Sequence, residues 1–273
     1  MKNSKSTLIF LVLVIFNSLN LLAQEEPKPA ADDAAAIAKK LANPIGALIS
    51  LPFQNNMDIG IGDYNGSRNT LNVQPIVPFS LNAKFSLITR YIVPVIAQYD
   101  ITGEGTQEIG LSDALVSGWL SNAVVKNGFV WGVGAAFLIP TATNDFLGTK
   151  KFGLGPTVIA LQQKNGWTYG ALMNQIWSVA GDEDSTNVNQ MYLQPFITYN
   201  WKGGAALTVN SETTLNWKAH TTNAFINIMA GGLIKFGNQL VQLQVGPRIH
   251  VAAPEGSKSK FGVRAAVIFV FPK

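Results

Sequence analysis

Residues 240–251 read LVQLQVGPRIHV, and residues 261–271 read FGVRAAVIFVF. Successive side chains on a strand point to opposite faces. In the first stretch Leu240, Gln242, Gln244, Gly246, Arg248 and His250 share one face, while Val241, Leu243, Val245, Pro247, Ile249 and Val251 share the other. The second stretch repeats the division: Phe261, Val263, Ala265, Val267, Phe269 and Phe271 oppose Gly262, Arg264, Ala266, Ile268 and Val270. A fully apolar face backed by a mixed polar one fits a β-barrel in lipid, with the apolar side outward and the polar side toward a lumen. The competing class is a soluble periplasmic β protein.

The same parse continues backward through most of the chain. It gives twelve candidate strands, at 48–61, 69–80, 84–98, 110–121, 128–140, 152–163, 167–179, 190–201, 205–217, 223–236, 239–251 and 260–271. Each is near or above the roughly 9–11 residues that cross a bilayer at a tilt. Links at 81–83, 122–127, 164–166, 202–204 and 237–238 are short. Those at 62–68, 99–109, 141–151, 180–189, 218–222 and 252–259 are longer and polar. Short turns at one rim and longer loops at the other predict an antiparallel up-and-down transmembrane β-barrel with both termini on the periplasmic side.

Aromatics follow that topology. Phe79, Phe85, Phe129, Trp131, Trp167, Tyr169, Tyr199, Trp201, Phe236, Phe269 and Phe271 approach the short-turn rim, where rings favour the headgroup boundary. Two features fit less well. Pro75, Pro78, Pro94, Pro156, Pro195 and Pro247 fall inside proposed strands and demand bends or lapses in the ladder. The strands at 110–121 and 167–179 alternate imperfectly.

Composition agrees. Charged residues are 13% of the 273-residue chain, against about 25% in an average soluble protein. Cysteine is absent, which excludes disulfides and thiolate metal sites. A net charge of +4 is too small an excess to point to nucleic acid. Residues 1–23 read as a cleaved secretory signal, with Lys2 and Lys5 before an apolar run from Leu8 to Phe16. Residues 24–46 read as a tether with one short Ala-rich helix. Ile37 and Leu41 alone give it an apolar edge, so a solvated tether is favoured over a periplasmic plug. The barrel then occupies 47–273.

Several stretches resemble a known family. They are residues 43–55 (NPIGALISLPFQN), 71–81 (LNVQPIVPFSL), 88–96 (ITRYIVPVI), 137–161 (FLIPTATNDFLGTKKFGLGPTVIAL), 167–182 (WTYGALMNQIWSVAGD) and 193–200 (LQPFITYN). Together they resemble the outer-membrane family labelled MetA-pathway of phenol degradation, or simply "transporter". The resemblance spans most of the mature chain and implies an outer-membrane barrel that passes aromatic or other hydrophobic compounds. It makes the strand prolines part of the pattern. It carries over no site residues.

The polar faces supply a candidate lumen. Asp58, Gln74, Arg90, Gln194, Glu212, Gln242, Gln244, Arg248, His250 and Arg264 form the predicted solute-facing set, joined by Gln54, Asn72 and Asn210. An Arg or Lys facing lipid at mid-depth costs about 2–4 kcal/mol, so the three arginines must point inward. They form either a selective filter or an ion-pair network that fills a narrow barrel. Catalysis has little support: His220 and His250 are the only histidines, and neither has a nucleophile at triad spacing. Asp182, Glu183 and Asp184 could offer oxygen ligands, but the central Gly and closing Glu of a calcium loop are missing. The sequence therefore predicts a non-enzymatic barrel in the outer membrane of a Gram-negative cell, without cofactor or metal. Its partners are membrane lipid and a small-molecule solute that crosses passively. A non-conducting structural or interaction barrel is the alternative.

Overall fold

The computed structural model describes residues 31–46, 48–237 and 239–271. The predicted signal at 1–23 lies outside the described residues. A helix, α1 (Ala31–Leu41), precedes fourteen strand segments: β1 (Ile49–Ile61), β2 (Gly66–Val73), β3 (Ile76–Ser80), β4 (Phe85–Tyr99), β5 (Gln107–Leu111), β6 (Ala114–Asn122), β7 (Phe129–Ile139), β8 (Lys151–Lys164), β9 (Trp167–Gly181), β10 (Asn189–Asn200), β11 (Ala206–Asn216), β12 (Thr221–Phe236), β13 (Gln239–Ala252) and β14 (Phe261–Phe271). β2 and β3 continue one another along β4, and so do β5 and β6. The segments therefore make a closed antiparallel barrel of 12 strands.

Closure is made by the first and last strands. β1 pairs β14 from Ile49 opposite Phe271 to Ile59 opposite Phe261, without a slip. Its other edge pairs β2. Every through-going strand thus has neighbours on both sides, which is the condition for carrying backbone N–H and C=O groups through hydrocarbon. The side-chain period follows: Val245 is 57% exposed on the outer face, whereas Arg248 is 8% and Arg264 is 3% exposed. The outer surface carries Leu243, Ile249, Val251 and Val267 among many exposed apolar residues. A closed barrel with this apolar exterior is an outer-membrane barrel. No described helix is long and apolar enough to cross a membrane.

The prolines sit where the ladder lapses. Pro75 lies in the gap between β2 and β3. Pro94 stands on β4 where its neighbour changes from β5 to β6. Registered pairing skips Pro156 toward β9, Pro195 toward β11 and Pro247 toward β12. Pro78 stands opposite Ile88 in the β3–β4 pairing. Proline has no N–H to donate, so these lapses are where the chain tolerates it. The tight hairpin between β8 and β9 turns on Asn165 and Gly166, both at positive φ (51° and 82°), as a two-residue primed turn requires.

The short-turn rim is aromatic. Phe53 meets Phe269 edge-on at 5.9 Å, Phe85 meets Trp131 at 6.4 Å, and Tyr199 lies between Trp167 at 4.8 Å and Trp201 at 5.0 Å. At the opposite rim, the 140–150 loop covers the free edge of β5. Leu111 N–H donates to Thr143 Oγ1, and Thr143 N–H donates to Leu111 O. The buried Asp113 carboxylate, in the gap between β5 and β6, accepts the Thr149 N–H and hydroxyl, both at 2.6 Å, and the Ala142 N–H at 3.3 Å.

The structure departs from the sequence reading in strand bounds and in the N-terminal segment. β2 begins at Gly66, so Arg68 belongs to a strand and not to a loop. The N-terminal segment is packed instead of solvated. Ala34 and Ala38 of α1 are buried, the Lys39 carbonyl accepts Gln163 Nε2 from β8 at 2.7 Å, and Ile45 is enclosed by barrel side chains. The small apolar edge of α1 misled because the burial comes mainly from Ala38 and from Ile45, which lies beyond the helix.

Closure can be tested directly, since the chain has no native cysteine. Met57 and Val263 are opposite partners across the β1–β14 seam. A Met57→Cys, Val263→Cys double variant should crosslink on oxidation while keeping heat-modifiable gel mobility. Free thiols in the folded protein would mean an open sheet.

Candidate functional site

The lumen holds a cavity of about 660 Å³. Its lining divides into two walls by strand. β1, β2 with the gap that follows it, and β10–β14 supply mostly polar groups, among them Asp58, Arg68, Gln74, Glu212, Arg248 and Arg264. β4, β6, β7 and β9 supply Ile92, Leu115, Trp119, Leu138, Leu172 and Ile176, with Arg90, Ser117 and Asn174 set among them. A uniformly polar interior was expected. On β6–β9 the inner face is largely apolar, and the outer face must be apolar too, so the alternation that marks β13 disappears.

At the centre of the polar wall is Glu212. Its carboxylate accepts Arg264 Nη1 at 2.7 Å and Nη2 at 2.6 Å in a two-pronged pair, and Arg248 Nη1 at 2.9 Å. Arg264 Nε donates to Asn56 Oδ1 at 2.6 Å. Arg248 Nε stands 3.3 Å from Asp58 Oδ1 as an ion pair, and its Nη1 also donates to Asn227 Oδ1 at 3.2 Å. Paired charges are the form in which ions tolerate burial, although Asp58 Oδ1 is left without a hydrogen-bond donor. Phe225 is packed between two of these groups. The Arg248 guanidinium carbon lies 3.4 Å from its ring centroid, and His250 stacks on it at 3.9 Å. The guanidinium is thus held by a π face as well as by carboxylates.

Toward the long-loop rim a second chain crosses the wall. Arg68 Nε donates to Gln98 Oε1 at 2.8 Å, and Gln98 Nε2 donates to Glu108 Oε2 at 3.1 Å. The Thr102 hydroxyl also donates to Glu108. Deeper in the barrel, Arg90 Nη2 donates to Gln74 Oε1 at 2.6 Å.

His250 has a serine and an asparagine beside it. Ser259 N–H donates to Nδ1 at 2.9 Å, so Nδ1 carries the lone pair; Nε2 then carries the proton and donates it to Asn223 Oδ1 at 2.7 Å. The Ser259 hydroxyl is 3.1 Å from Nδ1. A general base needs a lone pair free for the nucleophile, and here a backbone donor already occupies it. Ser259 is buried and does not line the cavity. The ring ties the 253–260 loop to β13.

The ten residues of the predicted set divide between two cavities. Asp58, Gln74, Arg90, Glu212, Arg248, His250 and Arg264 line the large cavity. Gln194, Gln242 and Gln244 line a smaller one of about 140 Å³ nearer the short-turn rim. The sequence reading missed Arg68, Asn56, Tyr192, Asn223 and Phe225, which share the larger cavity. Tyr192 was recoverable, since it has the parity of Gln194 on β10. Phe225 was not, because an aromatic on a strand reads as lipid-facing.

Below the cavities the lumen is filled. Ile45 packs with Ile88, Trp119, Val130, Ile159, Leu161, Leu172 and Phe196, and Leu41, Ala42 and Pro44 border the smaller cavity. The N-terminal segment is therefore the floor. On the outer side, Asp182 accepts the Asp184 N–H at 3.1 Å and the Ser185 hydroxyl at 3.1 Å, and these bonds hold its carboxyl below the usual carboxylate range. The acidic loop spends these oxygens on itself.

No family model matches the chain, and no curated protein matches it. Among solved structures it is similar to the COG4313 outer membrane channel from Pseudomonas putida F1, with a TM-score of 0.67 and 14% identity over 84% of this chain and 97% of that one. It is also similar to outer membrane phospholipase A from Escherichia coli, with a TM-score of 0.49 and 10% identity over 89% of this chain and 98% of that one. The first similarity is one of fold: this chain is an outer-membrane β-barrel of channel-like architecture. The second is too loose to bear on function.

Glu212 is the carboxylate shared by two buried guanidinium groups. Glu212→Gln should destabilise the folded barrel by about 3–5 kcal/mol, the usual cost of breaking a buried pair. Urea unfolding in detergent micelles would measure it; an unchanged midpoint would show that the two arginines need no counter-charge.

Proposed function

We propose that this barrel passes small solutes across the outer membrane passively, without chemistry of its own, and that solutes with an aromatic or other hydrophobic body are its cargo. The observation that carries this reading is the two-walled cavity of about 660 Å³. That size is within the roughly 300–1,000 Å³ of sites that take small molecules. A purely structural barrel has no need of an open amphipathic chamber. Its apolar wall gives a hydrophobic solute a path out of water, while the polar wall keeps the chamber wet. The motif resemblance to the phenol-degradation transporter family points the same way.

Passage requires the floor to move. Ile45 seals the lumen through apolar contacts, so the N-terminal segment is the part that yields. Membership of the barrel among non-enzymes rests on the His250 geometry, in which the base is already engaged.

Planar-bilayer recording of the full mature chain should show discrete conductance, and liposome swelling should show uptake of small solutes. Ile45→Asp puts a charge into the apolar cluster and should raise the open fraction severalfold. A folded wild-type protein that conducts nothing and admits no solute, with the Ile45 variant equally silent, would end this reading.

A further inference from the structure

Four arginines and two carboxylates line the large cavity. Arg248 and Arg264 are committed to Asp58 and Glu212. Arg68 is linked through Gln98 to Glu108. Arg90 has no such partner. Its one hydrogen bond goes to the neutral Gln74, its Nε is buried without any partner, and no carboxylate of the described residues lies within ion-pair distance. A guanidinium offers five N–H donors in a planar fork. Most of this fork is unused, and the residue stands half-buried at the cavity wall.

What lies next to Arg90 defines the missing group. Arg90 is opposite Ser117 across the β4–β6 pair, and the next inward pair is Ile92 opposite Leu115. The apolar wall therefore starts one step from the guanidinium. Tyr192, on β10, lines the same cavity, and its hydroxyl makes no hydrogen bond among the described residues. A group bound at Arg90 would thus meet a cation, a free hydroxyl and an apolar surface at one end.

We propose that Arg90 is the carboxylate-binding residue of a site for amphipathic organic anions, whose apolar body lies against Ile92, Leu115 and Trp119. The inference rests on reading the lumen as a solute chamber, and it narrows the solute from a hydrophobic molecule to one bearing an anionic head. Gln74 orients the guanidinium from behind, and the paired Glu212 cluster keeps the neighbouring arginines from competing for the ligand. Chloride or acetate would satisfy the charge alone but gain nothing from the apolar wall; a neutral aromatic would gain only the wall.

The test is calorimetric titration of the folded full-length mature protein in detergent, at fixed ionic strength, with benzoate, benzyl alcohol and acetate. Benzoate should bind more tightly than benzyl alcohol by about tenfold or more, since a charge-assisted hydrogen bond contributes about 1.5–3 kcal/mol, and more tightly than acetate, which has no ring to lie against the apolar wall. Arg90→Gln should weaken benzoate by about 10- to 100-fold, as that same range implies, and leave benzyl alcohol unchanged. Equal binding of benzoate and benzyl alcohol to the wild type, or benzoate binding indifferent to Arg90→Gln, overturns the proposal. The wild-type comparison needs no variant, so a misfolded Arg90→Gln does not rescue it; Arg90→Lys, which keeps the charge but not the fork, should also lose benzoate affinity. The solute-chamber reading fails separately: benzoate that binds at Arg90 while bilayers stay silent would leave the site and remove the passage.

Discussion

The pairing of β1 with β14 is the interaction on which the rest depends. In hydrocarbon an unpaired backbone N–H or C=O has no water to turn to, and each costs several kcal/mol. An open sheet of these strands would expose two long edges. The in-register seam from Ile49 to Ile59 against Phe261 to Phe271 removes both. Once the seam is fixed, strand parity is fixed with it, and every second residue of β1 and β14 is committed to the lumen. Arg264 then has no choice but to face inward, opposite Asn56 across the seam, and Glu212 must be there to receive it.

The interior charges follow from that commitment. Closure forces arginines into a confined space, and the carboxylates of β1 and β11 convert most of that charge into fixed pairs. Fixed pairs have little field left to offer a solute. This makes the polar wall stiff and nearly self-contained, with Phe225 filling the space between Arg248 and His250. The contrast between Arg248, which is held on several sides, and Arg90, which has only Gln74, is a contrast between a guanidinium fixed by carboxylates and one bonded to a single amide.

Much of this was legible in the sequence where one face alone is apolar. LVQLQVGPRIHV can be placed in only one orientation, with Gln242, Gln244, Arg248 and His250 on the face that lines the cavities. GLGPTVIALQQ on β8 reads apolar on both faces, so parity is silent and the apolar inner wall was unforeseen. Arg68 escaped because β2 starts earlier than a loop of Gly, Asp, Tyr and Asn suggested, although it shares the parity of Asn72 and Gln74. The packing of Ile45 was out of reach for a different reason. Its neighbours come from β4 and from β6 through β10, residues far apart in sequence that meet only after the barrel has closed.

That late-assembled contact also sets how firmly the lumen is shut. Burying one isoleucine is worth about 1.5–3 kcal/mol. The bond from Gln163 to the Lys39 carbonyl adds about 0.5–1.5 kcal/mol net. Ala34 and Ala38 bury little surface, being small. Nothing in the floor approaches the charge-paired wall in commitment: no ion pair ties the described part of the N-terminal segment to the barrel. At about 1.4 kcal/mol for each factor of ten, contacts of this size hold the segment in place by about one to three powers of ten. The sheet is therefore the more firmly held part of the molecule and the segment around Ile45 the less, because the first is held by continuous backbone pairing and the second by a small apolar contact and one hydrogen bond to the barrel.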